Sequence, residues 1–156
     1  MTTKVQKLKI ALYKKQILEA FATYTILDIL YGEELHLYNE FDQQISLLDS
    51  INRKKFSYYN PEIHEYLDCN LMYLEAQVYF AANLPIFCDK EVVICFIQFK
   101  EEYFGLKMEF DDNLIAIYQK LNTKDCLIIN ETLSKLLALA ILEYDIEVLV
   151  FKEDKS

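Results

Sequence analysis

Apolar positions recur at threes and fours through the first part of the chain. Ile10, Tyr13, Ile17, Ala20, Phe21 and Tyr24 follow that rhythm and predict a first helix from about Thr3 to Tyr31. Gly32 is placed to end it. Leu37, Phe41, Ile45 and Leu48 form the stripe of a second predicted helix, Glu33 to Ile51. The stretch NRKKFSYYN reads as a connection. A third helix has a well-marked start, with Asn60 as N-cap, Pro61 in the first helical position and Glu62 in the first turn. Its predicted core face is Ile63, Leu67, Leu71, Leu74, Val78 and Ala81, and it should stop near Asn83, before Pro85.

Beyond Pro85 the pattern is mixed. EVVICFIQFKEEYFGLKMEF is rich in β-branched and aromatic residues, and both a helix and a hairpin fit it. Asp112 can cap a short helix through Leu121. NETLSKLLALAILEY reads as a strong late helix capped by Asn130. DIEVLVF alternates weakly and fits a terminal strand or a helical extension. These elements predict a mainly α fold, a single-domain bundle of five to six helices over residues 1–156. The alternative is an α+β fold with a small sheet from residues 91–110 and 146–151.

Composition sharpens the class. A chain of 156 residues that is 53% apolar should fold around one core. Its two glycines and two prolines are few for a turn-rich barrel or sandwich, which supports the helical expectation. The formal charge of −9 and the single arginine, Arg53, argue against a nucleic-acid partner, because phosphates must be neutralised by many cations. The longest strongly apolar run, Leu136–Leu142, is too short to span a bilayer, and lysines interrupt the apolar residues of the opening segment. No membrane association is expected, and the expected compartment is the cytosol. Cys69, Cys88, Cys95 and Cys126 contain no C-x-x-C pair, so they read as small buried thiols in a reducing compartment.

The charge is unevenly spread. No lysine or arginine lies between Lys15 and Arg53, or between Lys55 and Lys90. These intervals hold Glu33, Glu34, Glu40 and Asp42, and then Glu65, Asp68 and Glu75. Tyr24, Tyr31 and Tyr38 are seven apart, as are Tyr59, Tyr66 and Tyr73, which on a helix returns them to one side. Tyrosine beside carboxylates is a composition suited to protein recognition.

Candidate chemistry is sparse. In HEYLD a helix would set His64 and Asp68 on one side, with Glu75 between them in angle. A zinc-protease motif needs a second histidine where Asp68 stands. Glu33 and His36 supply one Glu-x-x-His spacing, whereas a di-iron bundle needs two. There is no phosphate-binding loop and no dinucleotide fingerprint. No catalytic residue, metal site or cofactor is therefore expected, and the chain reads as a non-enzyme.

Two segments resemble a known family. ILDILYGEELHLYNEFDQQISLLDSIN, Ile26 to Asn52, and LSKLLALAILEYDIEVL, Leu133 to Leu149, are similar to segments of the helical immunity proteins of bacterial polymorphic toxin systems. The resemblance implies a helical protein that neutralises a nuclease toxin. Such a toxin is usually basic, so an acidic inhibitor would be steered to it. The acidic stretches nominate Glu33, Glu34, Tyr38, Glu40, Asp42, Glu65, Asp68 and Glu75 as its contacts. Two other readings stand beside this one. One is a metal-dependent helical enzyme using His36, His64 and nearby carboxylates. The other is a structural or adaptor subunit.

Overall fold

The computed structural model describes residues 3–153. It is built on a seven-stranded antiparallel sheet, so the expectation of a mainly helical bundle is wrong. The elements run α1 (Lys4–Ala20), β1 (Ile26–Tyr31), a 3-10 turn (Gly32–Leu35), α2 (His36–Ser46), β2 (Asn52–Ser57), β3 (Tyr59–Asn60), β4 (Glu65–Tyr66) and α3 (Cys69–Ala82). After a second 3-10 turn (Leu84–Ile86) come β5 (Val92–Phe99), β6 (Glu102–Glu109), α4 (Ile115–Lys120), β7 (Cys126–Asn130), β8 (Lys135–Ile141) and β9 (Asp145–Lys152). The sheet order is β1-β6-β5-β7-β8-β9-β2, and β3 and β4 form a separate two-stranded ribbon.

Both faces of the sheet are covered, and successive residues of the central strands serve opposite faces. On one face Cys95, Leu106, Ile128, Leu137 and Val148 join Ile10, Ile17 and Phe21 of α1, Ala76 and Phe80 of α3, and Ile117 and Tyr118 of α4. On the other face Ile129, Leu136, Ala138 and Leu149 meet Ile45 of α2, with Tyr38 and Phe41 packed against them. Leu30, Leu35 and Ile94 complete that second layer. Strands buried on both sides read as continuous apolar runs, without alternation. That is why LLALAIL, the apolar run of the predicted late helix, falls almost wholly in the interior strand β8.

The other departures have local causes. The first helix ends at Ala20, and Ile26 to Tyr31 crosses to pair with β6, with Leu30 opposite Gly105. The second helix starts only at His36 and stops at Ser46. Asn60 does accept the Glu62 N–H at 3.0 Å, as an N-cap would. The chain then reverses, with His64 at φ 54°, and α3 begins only at Cys69, eight residues after the expected first helical position, Pro61. Its cap is Asp68, whose carboxylate accepts the Asn70 and Leu71 N–H groups at 2.9 and 3.2 Å. The short helix near Asp112 spans Ile115–Lys120, and Asp111, not Asp112, takes a turn N–H, that of Asn113 at 2.7 Å. Asn130 ends β7, where its Oδ1 accepts the Ser134 and Lys135 N–H groups and closes a turn between strands. The ambiguous middle segment is the β5–β6 hairpin. Its two-residue turn, Lys100–Glu101, holds φ of 49° and 70°, the signs of a type I′ turn. DIEVLVF is the strand β9.

Candidate functional site

The structure divides the nominated acidic residues between the two faces of the sheet. Glu33 and Glu34 lie in the 3-10 turn, and Tyr38, Glu40 and Asp42 lie on α2, all on the α2 face. Glu65, Asp68 and Glu75 belong to β4 and α3, which sit with the opposite face. One contact surface does not hold both sets.

Much of the α2 set is already engaged. Glu34 accepts the Tyr31 N–H at 3.2 Å. Glu40 lies 3.1 Å from His36 Nε2, one helical turn away. Asp42 is half-buried and accepts the Ser46 hydroxyl; burial pushes its carboxyl above the usual range. Tyr38 packs into both apolar clusters of that face, and burial raises its phenol. Glu33 remains exposed beside a shallow cleft of about 580 Å³ that it shares with Gly32, His36 and Asn39. A wider groove of about 870 Å³ runs from Asp42 and Ser46 past Phe96, Gln98 and Tyr103. It carries both signs of charge, with Lys100 and Lys124 beside Asp42, Glu101 and Asp125.

The β3–β4 ribbon builds a different kind of surface. Tyr59 pairs directly across from Tyr66, and their rings are 4.9 Å apart. Tyr144, in the turn between β8 and β9, stacks at 4.9 Å from Tyr59 and 6.5 Å from Tyr66. Tyr58 anchors the group. It is buried, its hydroxyl donates to the Leu142 and Glu143 carbonyls, and its backbone joins Tyr144 and Leu67. Burial raises its phenol. Tyr66 and Tyr144 remain 63% and 44% exposed, so the cluster presents aromatic area to solvent.

Five carboxylates neighbour this cluster along the chain: Glu62 in the turn of the ribbon, Glu65 on β4, Asp68 just after it, and Glu143 and Asp145 on either side of Tyr144. Among the described residues none of the five lies within ion-pair distance of a lysine, arginine or histidine. The neighbouring Glu143 carboxylate raises the Tyr144 phenol. Lys54 sits over the rings of Phe56 and Tyr79, and Lys124 over that of Tyr73. The patch is aromatic at its centre and anionic at its rim.

His64 belongs to this ribbon and not to a helix face. Its Nδ1 is 3.1 Å from the Tyr59 hydroxyl, and the helical His64–Asp68 pairing does not form. His36 opens α2 on the other side of the sheet. Among the described residues no group of three or more histidine, cysteine, aspartate or glutamate side chains converges to hold a metal. Cys95 and Cys126 are buried, and desolvation pushes the Cys95 thiol up to about 12 and the Cys126 thiol well above its ordinary value, so neither is an activated nucleophile. Cys69 and Cys88 are exposed and free.

The sequence marked Glu65 and Asp68 but not the aromatic group they border. Tyr59 and Tyr66 were placed one above the other on a helix, whereas they face each other across two strands. The Asn60–Pro61 pair between them is a turn signal that could have shown this. Nothing local foretells Tyr144, which arrives from the far end of the chain.

The fold is α+β, an antiparallel sheet with helices on both faces. Comparisons with protein-family models, curated proteins and solved structures return no match. The segments that resemble helical immunity proteins, Ile26 to Asn52 and Leu133 to Leu149, contain β1 and most of β8 and β9, so the helical architecture implied by that resemblance is not the one observed. Among the described residues no helix is long and apolar enough to cross a membrane.

Proposed function

We propose that the protein is a stoichiometric binding protein that captures a basic protein partner on the Tyr59–Tyr66–Tyr144 patch. The observation that carries the reading is the exposed tyrosine cluster with five neighbouring carboxylates, none of which pairs with a cation among the described residues. Rigid aromatic rings supply contact area at small entropic cost, and unpaired carboxylates steer and orient an incoming cationic surface. The contact set is Tyr66, Tyr144, Glu62, Glu65, Asp68 and Glu143. Glu75 lies about two turns beyond Asp68 along α3, at its edge. Glu33, Glu34, Tyr38, Glu40 and Asp42 fall outside it.

The particular partner we propose is a nuclease-type toxin, neutralised in the cytosol by occlusion of its anion-binding surface. The chain then acts as an immunity protein and catalyses nothing. The test is co-expression with the product of the adjacent reading frame. A one-to-one complex is expected, with association slowing as salt rises and relief of any toxicity of that product. Glu65→Lys with Tyr66→Ala should abolish both effects while the circular dichroism stays native. A complex indifferent to these substitutions and to salt would overturn the patch assignment. An adjacent product that is neither bound nor toxic would overturn the immunity reading.

A further inference from the structure

Two helices on one face of the sheet turn apolar stripes away from the core. On α1 these are Val5, Leu8 and Leu12, exposed at 75%, 64% and 52%. On α3 they are Leu71, Leu74 and Val78, exposed at 50%, 57% and 71%. The spacings are three and four residues, the spacing of a helix-packing seam. The inward sides of the same helices are occupied by Ile10, Ile17, Ala76 and Phe80. Each helix is therefore apolar on two sides, which suits burial on both.

The two stripes carry opposite charge. Helix α1 has five lysines and one glutamate in a chain of net charge −9. Lys4, Lys7 and Lys15 are exposed and meet no carboxylate among the described residues. Helix α3 has no lysine or arginine; its charges are Glu75 and the capping Asp68.

We propose that these faces join two copies of the chain, α1 of each seated on α3 of the other. Both helices lie on the same side of the sheet, so a two-fold axis running between them makes both contacts at once. Pairing like with like would set the α1 lysines against one another, and charge selects the crossed arrangement. The apolar residues of the seam lie outside the tyrosine patch, which borders it only through Asp68 and Glu75, so this inference does not depend on the proposed partner.

Sedimentation velocity across the micromolar range tests it. The wild type should sediment at twice the 18.5 kDa chain mass. Lys7→Glu with Lys15→Glu takes α1 from net +4 to neutral and turns its exposed, unpaired trio Lys4, Lys7 and Lys15 from +3 to −1, and Asn70→Lys with Glu75→Lys makes α3 basic. Each double variant alone should dimerise at least about tenfold more weakly. Mixing the two should restore the dimer, because both crossed contacts then pair opposite charges. A monomeric wild type overturns the proposal. So do folded variants that dimerise like wild type, or that stay apart when mixed. Val78→Asp, at a position exposed enough to leave the fold intact, should also separate the copies; an unchanged dimer would count equally against the seam.

Discussion

Leu35 occupies the space that a side chain at residue 105 would need. A Cβ built on Gly105 meets Leu35 Cδ2 at 2.6 Å and Ile94 Cγ2 at 2.9 Å. Both neighbours belong to the layer under α2 and are buried. The glycine is what lets the 3-10 turn after β1 lie flat on β6. Gly105→Ala should overpack this layer and cost about 1–3 kcal/mol of stability, read as a lower urea midpoint. An unchanged midpoint would mean that Leu35 is free to move aside.

Asn130 organises the turn between β7 and β8. It is 1% exposed, and its amide donates to Glu91 Oε2 at 2.9 Å. Glu91 Oε1 takes a second bond from Lys135 Nζ at 2.8 Å and a third from the Cys88 N–H at 2.9 Å. Burial works to raise the Glu91 carboxyl, but these donors outweigh it and leave the group below its ordinary value. Its contribution to stability is therefore full above the pH where an unfolded glutamate titrates, roughly 4.3, and is lost as pH falls through the lower folded value. Glu91→Gln should lower stability at neutral pH and flatten this acid limb. Asn130→Ala strips acceptors from the Ser134 and Lys135 N–H groups. It should cost roughly 2 kcal/mol or more and move the Glu91 titration toward the ordinary range. Denaturant titrations between pH 3 and 7 would show both effects.

Asp42 has the opposite sign. Burial raises its carboxyl, and the Ser46 hydroxyl offsets only part of that. The ionised form is thus disfavoured in the folded state. The penalty is full above the raised folded value and vanishes below the unfolded one, about 3.9. Asp42→Asn should stabilise the protein at neutral pH and make no difference at strongly acid pH. A destabilised Asn variant at neutral pH would show that the charge itself serves the fold.

How much of this was legible follows from where the chain is buried. Helix α1 was readable because one side meets the core and lysines mark the rest; Ile10, Ile17 and Phe21 are indeed buried. The α3 stripe was read inside out. Leu71, Leu74 and Val78 were expected in the core and are exposed, while Ala76 and Phe80 are buried. A helix whose polar residues are only Asn70, Glu75 and Gln77 offers little to orient it. The sheet was hidden for the same reason. β5, β7 and β8 are covered on both faces, so their residues show no period of two. The scarcity of glycine misled as well, because the tight turns use other residues. Lys100, Glu101, Asn122 and Leu133 all take positive φ. Of the candidate site, the carboxylates were visible as a run without cations. The tyrosine cluster needed Tyr144, which only the β8–β9 turn brings near.

Asp68 holds two roles that substitution can separate. Its carboxylate caps α3 through the Asn70 and Leu71 N–H groups, and its charge belongs to the rim of the tyrosine patch. Asp68→Ala removes both, and should cost about 1 kcal/mol of stability together with partner affinity. Asp68→Asn keeps a capping oxygen while removing the charge, so its thermal midpoint should stay close to wild type. If the rim steers a basic partner, Asp68→Asn should slow association, with the deficit shrinking as salt rises, and leave dissociation nearly unchanged. Wild-type association kinetics in a stable Asp68→Asn protein would confine Asp68 to its capping role and move the electrostatic contact to Glu62, Glu65 and Glu143.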